Sequence, residues 1–115
     1  MGVGETFYRA IRLRDLKEGG AVRCEVRGTG IAVVSQEGRI SAFLDVCPHA
    51  GSPLSGGRVR RGRIFCPLHG APFDLENGKC LAPQKYDSLT MYNIRLGEEW
   101  IEVAIPDAPP SAANE

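Results

Sequence analysis

The chain is poor in most of the features that would announce a function. It has two histidines only, His49 and His69, so any histidine-dependent chemistry must use one of them. It has no excess of either charge: 14 basic residues balance 14 acidic ones. That argues against a nucleic-acid binder, where a net basic balance is usual. No apolar run approaches the roughly 20 residues needed to cross a bilayer. The start, Met1-Gly2-Val3-Gly4-Glu5, lacks the basic-then-apolar pattern of a secretory signal, so a cytoplasmic protein without a membrane partner is expected. Four cysteines could make two disulfides, but a reducing compartment and close Cys–His spacing favour metal ligation. No segment keeps a helical period over three turns, and Asp15-Leu16-Lys17-Glu18 offers one helical turn at most.

What remains is alternation. Val22, Cys24 and Val26 alternate with Arg23, Glu25 and Arg27. The run Ile31-Ala32-Val33-Val34 is followed by a turn at Glu37-Gly38, and then by Ile40, Ala42 and Leu44 at period two. Tyr92, Ile94 and Leu96 alternate, Gly97-Glu98-Glu99 turns, and Ile101, Val103 and Ile105 alternate again, which makes the clearest hairpin of the chain. The pattern predicts one all-β domain of roughly eight to ten short, mostly antiparallel strands. At 115 residues it buries a modest core. Residues 46–83 break the alternation with many glycines and prolines, as a loop-rich insert carrying a site would. Residues 106–115 have little to bury and are expected to form a mobile tail.

The insert holds two short motifs, Cys47-Pro48-His49-Ala50-Gly51 and Cys66-Pro67-Leu68-His69-Gly70. Two thiols and two imidazoles, supplied as two Cys–His pairs, can hold a metal centre of mixed sulfur and nitrogen ligation. The prolines restrict the cysteines before them to extended backbone, and the glycines suit a tight turn. Each loop is therefore expected to curl with its N–H groups turned inward, where inorganic sulfide would accept them.

These loops resemble the Rieske iron–sulfur motif, Cys-x-His-x-Gly followed by Cys-x-x-His. Ser52-Pro53-Leu54, Phe73-Asp74 with Gly78, and the proline-bearing Leu81-Ala82-Pro83 are also similar to Rieske ferredoxins. The resemblance implies a Rieske-type antiparallel β sandwich over residues 1–105, with a cluster-binding subdomain at about residues 45–83. It implies that Cys47 and Cys66 bind the inner iron of a 2Fe-2S cluster, and His49 and His69 the outer iron. Two ferric ions, two sulfides, two thiolates and two neutral imidazoles sum to zero charge, against minus two for an all-cysteine cluster. Reduction is therefore easier, and the potential rises from about −400 mV to between about −150 and +300 mV. The metal alternative is zinc, which uses the same donor set. Zinc sites usually run Cys, Cys, His, His, whereas the order here is Cys, His, Cys, His.

High-potential members of the family join the two loops by a disulfide and place serine and tyrosine hydroxyls near cluster sulfur. The matching positions here are Ser52 and Leu68 for the disulfide, and Ala71 and Phe73 for the hydroxyls. All four departures lower the potential, so a value near about −150 mV is expected, flat with pH around neutrality. The resemblance implies a monomeric one-electron carrier, not an enzyme. Its donor would be an NAD(P)H-dependent flavin reductase and its acceptor a terminal oxygenase. The alternative is the small Rieske-like subunit of a nitrite reductase. A Rieske oxygenase proper would need a mononuclear iron on two further histidines and a carboxylate, and no histidine is left for it.

Other residues have plainer readings. Cys24 is expected in the core and Cys80 in an ordinary strand or turn. Trp100, Phe7, Tyr8 and Tyr92 are expected to pack in the core or at sheet edges. Asp45 and Asp74 either orient a ligand loop or form turns. Arg58, Arg60, Arg61 and Arg63 read as a solvated hairpin, or else as a docking patch for an acidic partner.

Overall fold

Among the described residues ten short strands follow one another: β1 (Phe7–Arg12), β2 (Ala21–Val26), β3 (Thr29–Gln36), β4 (Arg39–Leu44), β5 (Arg58–Arg60), β6 (Arg63–Phe65), β7 (Pro72–Asp74), β8 (Met91–Tyr92), β9 (Ile94–Leu96) and β10 (Trp100–Ala104). The structure is a computed structural model that describes residues 6–48, 51–68, 70–83 and 87–105. The expected tail at 106–115 lies outside the described residues, and so do His49 and His69. The all-β expectation holds. The strands form three antiparallel sheets, ordered β1-β10-β9, β2-β3-β4-β8 and β5-β6-β7.

The run Ile31-Ala32-Val33-Val34 has no polar alternate, so a strand made from it must be covered on both faces. β3 is such a strand: all four side chains are buried, and they point alternately into two separate cores. Ile31 and Val33 join Ile11, Val26, Ile101 and Val103 beneath the β1-β10-β9 sheet. Ala32 and Val34 join Phe43, Leu54, Ile64, Phe73 and the two cysteines Cys47 and Cys66. One strand thus divides a structural core from a core that backs the site.

Three two-residue hairpins set the strand registers. Arg27-Gly28, Glu37-Gly38 and Arg61-Gly62 each have positive φ at both residues, the condition for a type I′ turn matching strand twist. They leave Val26 opposite Thr29, Gln36 opposite Arg39, and Arg60 opposite Arg63. The last hairpin is steadied by the Gly62 N–H donating to Gln36 Oε1.

The β9–β10 hairpin forms as expected, with Leu96 opposite Ile101 and Ile94 opposite Val103. Its alternation does not reach back to Tyr92 in the same sheet. Tyr92 pairs with Ala42 on β4, and the chain changes sheets at Asn93, whose carbonyl accepts from Ala104 N–H at 2.9 Å. The single helical turn lies at Leu13–Asp15, two residues before the expected Asp15–Glu18. Leu13 N–H donates to Glu99 O, and this tie to the β9–β10 turn pulls the chain into a 3-10 turn there.

The aromatic residues of the β1-β10-β9 sheet are roofed by guanidinium groups. Arg9 and Arg12 lie over Trp100, Arg95 over Phe7, and Arg27 over Tyr8. Such contacts shield apolar edges without demanding full burial. Tyr92 is buried instead. Its hydroxyl has no partner among the described residues, and burial pushes it above the ordinary phenol value.

Candidate metal centre

Cys47 and Cys66 are fully buried and share one core cluster. They head two loops that close in the same way. In the first, Cys47 N–H donates to Ser52 O at 2.7 Å, and Gly51 N–H returns to Cys47 O at 2.7 Å. In the second, Cys66 N–H donates to Ala71 O at 2.9 Å, and Gly70 N–H returns to Cys66 O at 2.8 Å. Gly51 and Gly70 have φ of 75° and 74°, which a side chain would resist. The histidine falls at the third position of one loop and the fourth of the other, yet the closure is identical.

That closure corrects one expectation. The N–H groups of Cys47, Gly51, Cys66 and Gly70 are used to shut the loops, and Pro48 and Pro67 have none. Of the residues between that carry an N–H, Leu68 alone is described.

The second loop is also the connection between β6 and β7, with Phe65 opposite Pro72 at its base. The first loop leaves β4 through Asp45, the one buried charged residue among those described. Asp45 Oδ1 accepts from the N–H groups of Leu54 and Ser55 at 2.6 and 2.7 Å. Its Oδ2 accepts from Ser55 Oγ at 2.7 Å and from Arg23 at 2.8 Å. Arg23 reaches it across Gly30, where any Cβ would collide with the guanidinium. Asp45 therefore ties both ends of the first loop to β2 and β3, and its undecided role is settled as loop orientation. Asp74 is a turn residue: its Oδ1 accepts from Glu76 N–H at 2.8 Å.

Ser52 does more than leave a disulfide unmade. Its Oγ lies 3.9 Å from Cys66 Sγ and joins the first loop to the second. Sequence reasoning missed this hydroxyl, because the two residues are close only after both loops fold. Ala71 and Phe73 are buried and bring no hydroxyl, as expected.

The proline-bearing segment is anchored by Leu81 N–H donating to Pro72 O at 2.8 Å, and Ala82 is buried in the same core as Cys47 and Cys66. Cys80 pairs with Phe73 across an isolated bridge, and its Sγ accepts from Ala82 N–H at 3.4 Å. It thereby braces the Leu81-Ala82 segment against β7. Cys24 packs with the other core, and burial raises its thiol above the ordinary value, with Arg23 opposing that shift and Asp45 adding to it.

Among the described residues no group of three or more His, Cys, Asp or Glu converges on one point. His49 and His69, the other two expected donors, lie outside them. The two cysteines do fit a sulfur-ligated centre: two buried thiols, each at the head of a glycine-turned loop, with the Ser52 hydroxyl of the first loop against the Cys66 sulfur of the second. No helix of the described residues is long and apolar enough to cross a membrane.

Comparison with known proteins agrees with this geometry. The family profile of the Rieske [2Fe-2S] domain matches residues 6–93. The ferredoxin component of the naphthalene 1,2-dioxygenase system of Pseudomonas putida is 31% identical over 90 residues, covering 78% of this chain and 86% of that protein. Apoptosis-inducing factor 3 of Homo sapiens is 32% identical over 91 residues, but the chain spans only 15% of its length. Among solved structures, the ferredoxin of carbazole 1,9a-dioxygenase from Nocardioides aromaticivorans IC177 has a TM-score of 0.80 at 28% identity, covering 91% of this chain and 99% of that one.

Proposed function

Because the chain belongs to the Rieske [2Fe-2S] domain family, we propose that it is a ferredoxin-type one-electron carrier of low potential. Its cluster would take an electron from an NAD(P)H-dependent flavin reductase and yield it to a terminal oxygenase. The observation that carries this reading is the pair of buried cysteines on matching loops within a domain that spans most of a dioxygenase ferredoxin component. Cys47 and Cys66 would hold the inner iron, and His49 and His69 the outer one. When bound, the cluster supplies single-electron chemistry.

The chain's own residues govern how that chemistry is tuned. Phe73 and Ala71 offer no hydroxyl near the cysteines, which supports a potential at the low end of the range. Ser52 works in the other direction. Against a cysteine thiolate its hydroxyl is the donor, and it stabilises the added negative charge of reduction. Asp45 holds the first loop in register with the second through Leu54 and Ser55. The exposed tip bearing Leu68 and Pro67 leaves the ligand loops open to a partner.

Electron paramagnetic resonance of the dithionite-reduced protein tests this reading. A rhombic signal with an average g below that of all-cysteine clusters is expected. A redox titration should give about −150 mV, unchanged across neutral pH. A potential well above zero would overturn the low-potential reading. A colourless, zinc-loaded protein would overturn the carrier reading altogether. Stable co-purification with a large haem and flavin enzyme would favour the nitrite reductase subunit instead.

A further inference from the structure

The β5–β6 hairpin carries four exposed arginines, and the two hollows they line divide them into pairs. Arg58 stands opposite Phe65, and Arg60 opposite Arg63. These four residues therefore share the outer face of their sheet, while Val59, Ile64 and Phe73 turn to the core. Arg63 stands opposite Asp74 on β7. With Arg61 it borders a groove of about 1100 Å³ that Glu37, Asp74 and Glu76 also line. Carboxylates, with Arg39 paired to one of them, thus line the groove beside one half of the arginine run.

The other half has none. Arg58 and Arg60 line a second cavity of about 570 Å³ together with Gly57, Cys66, Pro67 and Gly70, and no acidic side chain among the described residues lines it. None of the four arginines forms an ion pair among the described residues, so the two halves differ in the carboxylates near them and not in pairing. Two guanidinium groups therefore stand beside the loop of a ligand cysteine, in a chain whose total charge is zero. The placement costs stability, since Arg60 lies directly opposite another arginine, and like charges so paired repel. Next to the cavity, Leu68 is 61% exposed, an apolar tip within a positive rim.

We propose that Arg58 and Arg60 are the docking rim for an acidic protein face. Its carboxylates would pair with these guanidinium groups, and an apolar spot within it would cover Leu68. The inference rests on the carrier reading above and names the chemistry of the carrier's partner. Docking there brings the partner against the Cys66 loop. A cluster held at that loop would supply one electron, and the partner's acceptor would gain it.

Small oxidants of opposite charge test the rim on the holoprotein. Ferricyanide takes one electron and becomes ferrocyanide. Tris(phenanthroline)cobalt(III) takes one and becomes the cobalt(II) complex. For the double variant Arg58→Glu with Arg60→Glu, the second-order rate with ferricyanide should fall about tenfold at low salt, and the difference should vanish at high salt. The rate with the cobalt complex should not fall. Poly-glutamate, as a mimic of an acidic protein face, should inhibit oxidation of the parent protein by ferricyanide and spare the variant. Arg61→Glu with Arg63→Glu should change the ferricyanide rate less than twofold. Arg58→Gln with Arg60→Gln repeats the measurement with a milder change should charge reversal impair folding.

Equal slowing by both arginine pairs, or slowing that salt does not remove, would overturn the proposal. So would failure of poly-glutamate to inhibit the parent protein. In each of those cases an intact resonance signal from the reduced protein leaves the carrier reading standing. Loss of that signal in the parent protein would strike the carrier reading itself.

Discussion

At the scale of single residues, Asp45 carries more than its neighbours. Its side chain is fully buried and accepts four hydrogen bonds, one from a half-exposed arginine. A carboxylate in that setting is held by its donors, and changing it strands them. Asp45→Asn should destabilise the protein by about 2–4 kcal/mol, read as a lower midpoint of urea unfolding. A change below about 0.5 kcal/mol would show that the network adds little. The paired Cys–His motifs were legible in the sequence because each is contiguous. Asp45 was legible only as one of two readings, since Arg23, Leu54 and Ser55 come from separate segments, and only folding brings them to one carboxylate. The hydroxyl contact of Ser52 was hidden for the same reason. Its neighbour Cys66 belongs to the other loop.

At the scale of elements, strand period is a strong signal where both faces are buried and a weak one where the chain changes sheets. The run at Ile31–Val34 announced β3 because no polar residue interrupts it. The alternation from Tyr92 to Leu96 looked like one strand but is two, since a period-two pattern does not record which neighbour a strand pairs with. The segment before β5 shows a tighter constraint that also leaves no mark on periodicity. A Cβ at Gly57 would collide with the Phe65 carbonyl, whereas at Gly56 it would meet nothing within 4 Å. Gly57→Ala should therefore cost roughly 1–3 kcal/mol, and Gly56→Ala should stay within about 0.5 kcal/mol. Thermal unfolding of the two variants checks this, and equal effects would show that the backbone there yields easily.

At the scale of the whole molecule, the two cores should respond differently to loss of iron. Cys47 and Cys66 belong to the core with Ile64 and Phe73, while Ile11, Ile101 and Val103 lie in the other. Chelation of the iron should raise amide hydrogen exchange in β5, β6 and β7 by about tenfold or more and leave β3 and β10 protected. Uniform loss of protection would mean that the cores unfold as one. The charged surface has a consequence between copies of the chain as well. β5 pairs on one side only, and a bare strand edge ordinarily recruits another strand. Here that edge bears Arg58 and Arg60, so a second copy approaching edge to edge would bring guanidinium against guanidinium. Repulsion of that kind acts over about 10 Å at 0.1 M salt. The same strand that would welcome a carboxylate-rich visitor would thus turn its own kind away and keep crowded copies of the chain dispersed.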